Sequence, residues 1–496
     1  MKKYFLTIII FTTIFAFSAC LKDDFSTDSS LKLQFSADTV SFDTVFTTIG
    51  TTTKLFKVYN RNNKSLKINH IYLKNTNSCF KINVDGSASA SQQFTDIEIL
   101  ANDSIFVFVT AKIDPSNQNA PLLIDDKIVF SYNNNVQNIV LEAIGQDVNL
   151  LKNAVIYNDT TFSADKPFLI YGDLQVAQDA TLTISAGVKM YFHKDAAIVA
   201  LGSVHALGTH ENPILMRGDR LDAINFSDAA LPYNFIAGQW SGVYLGGQQT
   251  NSIFRNVILN SSEIGIAISN ETTDPAQMPN LTIENCKLTN FLFYGLFVLN
   301  ANVTTYNSEI SNSGEYTIFL NGGTHLFVHA TIANFYGIYQ NVQRDTTFCA
   351  VAINDYGNIF IGEQELLISH SFTSFYNSII MGNLKTEFAL LTPAPTNYTG
   401  SFRNSFIRKN QTADYPYFQN IRWYENGDKV FKNTDFIWNA DVKSYYNFSL
   451  DSLSPARDIG DINYVTTNLQ YDLNGNDRTA DGKPDAGAYE WVESNN

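Results

Sequence analysis

At 496 residues the chain is too long for one ordinary hydrophobic core, which predicts two or more domains or a repeat array. Hydrophobic residues at 45%, aromatic at 13% and charged at 16% are the balance of a folded protein, so disorder is confined to short linkers. A formal net charge of −15 disfavours nucleic acid, anionic lipid headgroups and polyuronates as partners.

The chain opens with a positive Met1-Lys2-Lys3 and an apolar run from Tyr4 to Phe17, too short to span a bilayer comfortably. This is the pattern of a signal peptide over residues 1–19. Phe17-Ser18-Ala19-Cys20 follows, with small residues at the two positions before the cysteine. It resembles the bacterial lipobox, with Phe17 standing where leucine is commoner. The resemblance implies cleavage before Cys20 and acylation of its thiol, with palmitate-type chains making the membrane a partner. Each buried methylene contributes about 0.8 kcal/mol, so two or three chains anchor firmly.

Residues 20–30 are rich in Ser, Thr and Asp and have little to bury, which predicts a flexible tether. Lys22-Asp23-Asp24 resembles the short acidic export signal of surface-displayed Bacteroidetes lipoproteins and implies a position on the outer membrane facing the exterior. A solvated acidic linker on a periplasm-facing lipoprotein is the open alternative.

From residue 31 to 148, short β-rich runs recur between turn signals: 55–59, 66–72, 80–84, 97–100, 105–111, 127–132 and 139–143. Alternation, as in Phe106-Val107-Phe108-Val109, gives each run one buried face. Asn60-Arg61-Asn62-Asn63 and Asn133-Asn134-Asn135 read as hairpin turns. The size and spacing fit an immunoglobulin-like β-sandwich. The runs Phe42 to Val45, Val58 to Asn60, Phe108 to Pro115 and Leu141 to Gly145 resemble Ig-like modules of the MSP and HYDIN kind, which implies a spacer or interaction module.

Beyond residue 153 the organising feature is register. Asn285, Asn307 and His329 are spaced by 22 residues, as are Asn290, Asn312 and Asn334, Leu288, Ile310 and Ile332, and the small Cys286, Ser308 and Ala330. That period, with Asn at turns and small inward residues, predicts a stacked β-solenoid with an asparagine ladder. Cys79, Cys286 and Cys349 show neither disulfide nor zinc spacing, and Cys286 reads as core.

The alternating stretches Thr181 to Phe192 and Ile198 to Thr209, with Gln239-Trp240-Ser241-Gly242-Val243, resemble the opening coils of right-handed parallel β-helix proteins of the pectin-lyase-like fold. Leu453 to Gly460, Asp472 to Arg478 and Pro484 to Glu490 resemble the piece that closes the helix in that family. The expected fold is therefore all-β: a sandwich at 31–148, a right-handed parallel β-helix at 153–445 and a C-terminal cap at 446–496.

A catalytic constellation is not legible. Pectate lyases need a calcium-binding carboxylate cluster and a basic residue, but Glu284, Glu309 and Glu315 do not share a register. Asn433-Thr434-Asp435 echoes one polygalacturonase motif at the wrong end of the chain, and Asp125-Asp126 falls in the sandwich. Asp472 to Asp477 lacks the glycine and glutamate positions of an EF-hand loop and reads as an Asn/Asp turn. His325 and His329 lie four apart, which on β structure makes no metal face. No metal site, cofactor fingerprint or catalytic residue is assigned.

Two residue sets offer binding or modification. Tyr415, Tyr417, Trp423 and Tyr424 are candidates for stacking on sugar rings, against the plainer reading that they cover the last coils. Thr39, Thr44, Ser104, Thr160, Thr346 and Ser452 follow Asp in triplets resembling the Bacteroidetes O-glycosylation motif. The leading expectation is a non-enzymatic surface lipoprotein binding a glycan or protein. A polysaccharide lyase or glycoside hydrolase and a structural envelope protein are the competing classes.

Overall fold

The computed structural model describes residues 24–115, 121–226, 228–337, 344–355, 357–392, 395–410 and 415–493. The signal-like segment and Cys20, Lys22 and Asp23 lie outside the described residues, and Asp24 is exposed. The described residues form an all-β protein, and the chain divides into two compact units at Asp147 and Val148.

The first unit is a β-sandwich of two five-stranded sheets. One orders Gln34–Phe35, Lys54–Tyr59, Ser104–Ala111, Phe80–Val84 and Ser87–Ala88; the other orders Thr39–Phe46, Asn135–Gln146, Leu122–Tyr132, Leu66–Leu73 and Gln93–Ile99. All pairs are antiparallel except Thr39–Phe46 beside Asn135–Gln146. Period-two alternation makes the core: Ile105, Val107 and Val109 are buried. Asn133 and Asn134, with φ of 45° and 55°, supply the left-handed pair of a tight hairpin turn. The expected turn at Asn60 to Asn63 instead crosses between sheets. The buried Asn60 amide donates to the carbonyls of Lys64, Ile99 and Leu100, which fixes the crossing.

The second unit is a right-handed parallel β-helix. Each regular coil has three strands, as in Asn280–Glu284, Lys287–Phe291 and Leu296–Leu299, followed in register by Asn302–Tyr306, Glu309–Ser313 and Ile318–Asn321. We refer to these as the first, second and third faces. Inward residues stack coil upon coil: the rings of Phe327, Phe375 and Phe402 lie nearly parallel, with centroids 4.4 Å and 5.6 Å apart.

The turn from first to second face is the constant part of the coil. Asn256, Asn285, Asn307, His329, Asn377, Asn404 and Asn420 all occupy it with φ between 45° and 54°, the left-handed region that Asn tolerates best among residues with a side chain. Asn307 donates to Asn285 at 2.7 Å, and Asn377 meets His329 at 3.2 Å. The next residue turns into the core, is small in five of these seven turns (Cys286, Ser308, Ala330, Ser378 and Ser405) and there carries a second ladder. Cys286 N–H donates to Ser308 Oγ at 3.0 Å, and Ser378 N–H to Ser405 Oγ at 3.0 Å. Insertions enter at the other two turns, including the hairpin of Gly357–Ile361 with Gln364–Ile368.

The C-terminal segment expected as a cap lies along the flank of the solenoid. Phe431, Phe436, Tyr446, Phe448 and Leu450 form one apolar cluster with the outward Ala333, Phe335, Ile379, Met381 and Phe406 of the second face. Further on, Ala488 N–H donates to Thr331 Oγ1 and Tyr489 donates to Glu309. Strands Glu309–Ser313 and Thr331–Asn334 are consequently buried on both sides.

Candidate functional site: a trough on the first face

With the second face covered at strands Glu309–Ser313 and Thr331–Asn334, the first face keeps an outer surface that carries two cavities. Alternation points Thr282, Thr304, Leu326 and Ser374 outward in one column across four coils. Glu284, Tyr306, Val328 and Tyr376 form the neighbouring column, and Asn280, Asn302, Thr324 and Phe372 the one on the other side. Asn302 donates to Asn280 at 3.2 Å and accepts from Thr324 N–H at 3.1 Å, which holds that edge in register.

Insertions wall one edge. A cavity of about 670 Å³ lies among Thr273, Pro275, Met278, Leu367, Ile368 and the strand residues Asn302, Thr324 and Phe372. The hairpin is tied down by Asn300, which donates to Leu367 O at 2.8 Å and accepts from Ser369 N–H at 2.9 Å. The C-terminal segment walls the other edge. There a cavity of about 420 Å³ lies among Thr282, Glu284, Tyr306, Leu326, Val328, Tyr376 and residues 463–469. Tyr464 stacks on Tyr376 at 4.5 Å and 12°. Asp461 N–H donates to Asn377 Oδ1 at 2.8 Å, and Asn377 returns a bond to Asp461 O at 2.9 Å, so the turn ladder itself holds this wall.

The lining is hydroxyls, amides, phenols, flat apolar surface and the exposed His370 imidazole, which lies 3.4 Å from Asp355, with one lining carboxylate, at the smaller cavity. That carboxylate, Glu284, is paired with Arg255 Nε at 2.7 Å. An acid and base flanking a glycosidic bond require two carboxyl groups, and this lining brings one, already neutralised. Among the described residues no group of three or more His, Cys, Asp or Glu is placed to hold a metal. The arrangement suits binding an extended, uncharged ligand.

Of the residues singled out from sequence, Glu284 lines the trough and the others lie elsewhere. Tyr415 and Tyr417 stack at 5.1 Å, Tyr417 meets Tyr398 edge-on at 5.5 Å and Phe418 meets Trp423 at 5.0 Å, together closing the last coil. Tyr424 is half-buried, with the Arg408 guanidinium 4.2 Å from its ring. Thr39, Thr44, Ser104 and Thr160 are half-buried in strands, whereas Thr346 and Ser452 are exposed. The three glutamates separate onto three faces: Glu284 in the trough, Glu309 beneath Tyr489, and Glu315 at the start of the third face. Asp472 spends its oxygens on the N–H groups of Asn474, Asn476 and Glu490. His325 points into the core and bonds Thr373 at 2.8 Å. Sequence reading missed Tyr306, Leu326 and Tyr376. The signal was present: Thr282, Thr304 and Leu326 keep the same 22-residue step as the turn asparagines.

A family model described as right handed beta helix region matches residues 241–392, in agreement with the parallel coils. The chain is also similar to Protein bark beetle of Drosophila melanogaster, at 35% identity over 121 residues, which are 22% of this chain and 4% of that protein. Among solved structures, a family 123 glycoside hydrolase from Clostridium perfringens overlaps 24% of this chain and 27% of its own, at 10% identity and a TM-score of 0.18. The PapD-like domain 7 of human CEP192 overlaps 27% of this chain and 97% of its own, at 9% identity and a TM-score of 0.17. At such scores neither overlap bears on fold or activity.

Proposed function

We propose that this chain is a lipid-anchored outer-membrane protein, displayed on the cell exterior, whose β-helix binds an uncharged glycan in the first-face trough without cleaving it. The trough lining carries this reading: Tyr306 and Leu326 offer apolar surface for sugar faces beside the Tyr376–Tyr464 stack, and Thr282, Asn302 and Thr324 offer hydroxyl and amide partners. Anchorage rests on the leader pattern and Cys20, and the exterior position on Lys22, Asp23 and Asp24. The sandwich ahead of the solenoid fits an Ig-like spacer.

A glycan-array screen of the chain, with product analysis on neutral and uronic-acid polymers, tests the reading. Binding of a neutral glycan without turnover is expected, weakened about tenfold or more by Leu326→Arg, which places a long cation on the floor. New reducing ends or unsaturated products would return the protein to the hydrolase or lyase class. For placement, protease added to intact cells should shave the protein, and protection until lysis would refute surface display.

A further inference from the structure

The third face differs chemically from the trough. Its outward column runs Tyr244, Ala267, Phe297 and Phe319 in register, so successive coils present rings and a methyl group with no amide or hydroxyl ladder. The turns entering this face add Tyr294 and Tyr316, which repeat at the same 22-residue step as Phe297 and Phe319. The rings of Tyr294, Phe297, Tyr316, Phe319 and Phe348 form one continuous, half-buried cluster, with Tyr244 set apart by the coil of Ala267. Tyr294 lies 5.5 Å from Phe297 and 6.3 Å from Phe319, Tyr316 lies 4.7 Å from Phe319, and Phe348 meets Tyr316 edge-on at 5.1 Å.

Carboxylates accompany the rings. Glu315 N–H donates to Phe293 O at 3.0 Å and Phe293 N–H to Glu263 O at 2.8 Å, which stacks both glutamates on the turns entering this face; Glu315 acts on Tyr294 and Tyr316, and Glu263 and Asp173 act on Tyr244. Burial foremost, with these charges, pushes all three phenols up from their ordinary range. Asp195 extends the acidic side at Glu263, where Lys194 is the opposing cation. Ring faces attract cations through their quadrupole, and neighbouring carboxylates reinforce that attraction. The chain's −15 net charge draws basic partners at long range.

We propose that the third face is a docking strip for a basic segment of a partner polypeptide, whose arginine and lysine side chains seat over Phe297, Phe319 and Tyr294 and against Glu315 and Glu263. This surface is separate from the trough, and its test does not depend on glycan binding.

The probe is a fluorescein-labelled nonapeptide alternating arginine and serine, titrated with the full chain at low ionic strength and followed by polarisation. Saturable binding is expected, weakened about tenfold by Glu315→Gln and by Phe297→Ala. It should tighten several-fold with Lys194→Gln, which removes the competing cation. The same peptide with citrulline for arginine should not bind. Glu315→Gln keeps a hydrogen-bonding group for Tyr294, and an unchanged circular dichroism spectrum certifies that each variant is folded. Absence of saturable binding, or binding that none of the three substitutions alters, overturns the proposal. Binding of a deacetylated glucosamine oligomer without the peptide also overturns it and assigns the strip to amino sugars.

Discussion

Arg478 donates to Asn307 at 2.6 Å across 171 positions of sequence, and both side chains are buried. The same guanidinium donates to Glu490 at 2.6 Å, so one cation links the turn ladder of the solenoid to the C-terminal segment. Burying a charge is tolerable only when its partner and hydrogen bonds are complete. Removing one side of the pair leaves the other uncompensated. Arg478→Ala is expected to destabilise the second unit by about 3–5 kcal/mol, read from denaturant unfolding. Arg478→Lys should fall between, because a single ammonium cannot serve both partners as the planar fork does. In limited proteolysis, the first new cuts should fall within 456–491. Cuts appearing first in the early coils would show that this pair does not hold the segment.

Two histidines inside the solenoid make stability depend on acid. Burial holds His325 down at about 4, and burial together with the positive charge of Arg478 holds His329 well below its ordinary range. The unfolded chain takes up protons near 6.5 that the native state refuses. Their contribution is therefore complete above about pH 6.5 and is lost as pH falls toward 4, by about 3 kcal/mol for His325 alone. His325→Val, matching Val303 one coil earlier, and His329→Asn, matching the ladder, should both flatten this acid limb. Urea melts of each variant at several pH values between 4 and 7 measure it. A wild-type stability that stays level over that window would contradict the burial argument.

What the sequence disclosed follows from how local each feature is. The solenoid was legible because Asn285, Asn307 and His329 must all take a left-handed turn, a demand that asparagine meets repeatedly and histidine once in this ladder. The sandwich strands were legible from period-two alternation, but the crossing at Asn60 was not, since sheet membership is a long-range matter. The trough was half legible. Its floor keeps the 22-residue step, whereas its walls are insertions with no period, and the Asp461 to Leu469 wall returns from a distant part of the chain. The place of Tyr415 and Tyr417 was not legible, because an aromatic cluster reads alike in sequence whether it packs on a coil end, as here, or faces solvent.

The cysteines give a direct probe of coil packing. Cys286 and Cys349 are buried thiols pushed up to about 12 chiefly by desolvation, so almost no thiolate exists at neutral pH. Cys79 is only partly buried, and its thiol is raised by the same cause. Iodoacetamide followed by peptide mapping should modify Cys79 first in the native protein, with Cys286 and Cys349 reacting only on unfolding. Native labelling of Cys286 would show that the coil around it opens locally.

Asn377 does three things at once: it takes φ of 47°, meets His329 in the ladder and exchanges two hydrogen bonds with Asp461. Two substitutions separate these roles. Asn377→Gly keeps the left-handed backbone at little steric cost and loses only the side-chain bonds, whereas Asn377→Ala loses the bonds and adds about 1 kcal/mol of backbone strain. Each lost bond contributes about 1 kcal/mol, so destabilisation of about 2–3 kcal/mol for glycine and about 3–4 for alanine is expected. Because Asp461 begins the wall that carries Tyr464 onto Tyr376, both variants should also weaken glycan binding, and by similar factors, since both release the wall equally. Equal stabilities for the two variants would mean that the turn relaxes out of the left-handed region. Unchanged glycan affinity in both would mean that this wall takes no part in the site.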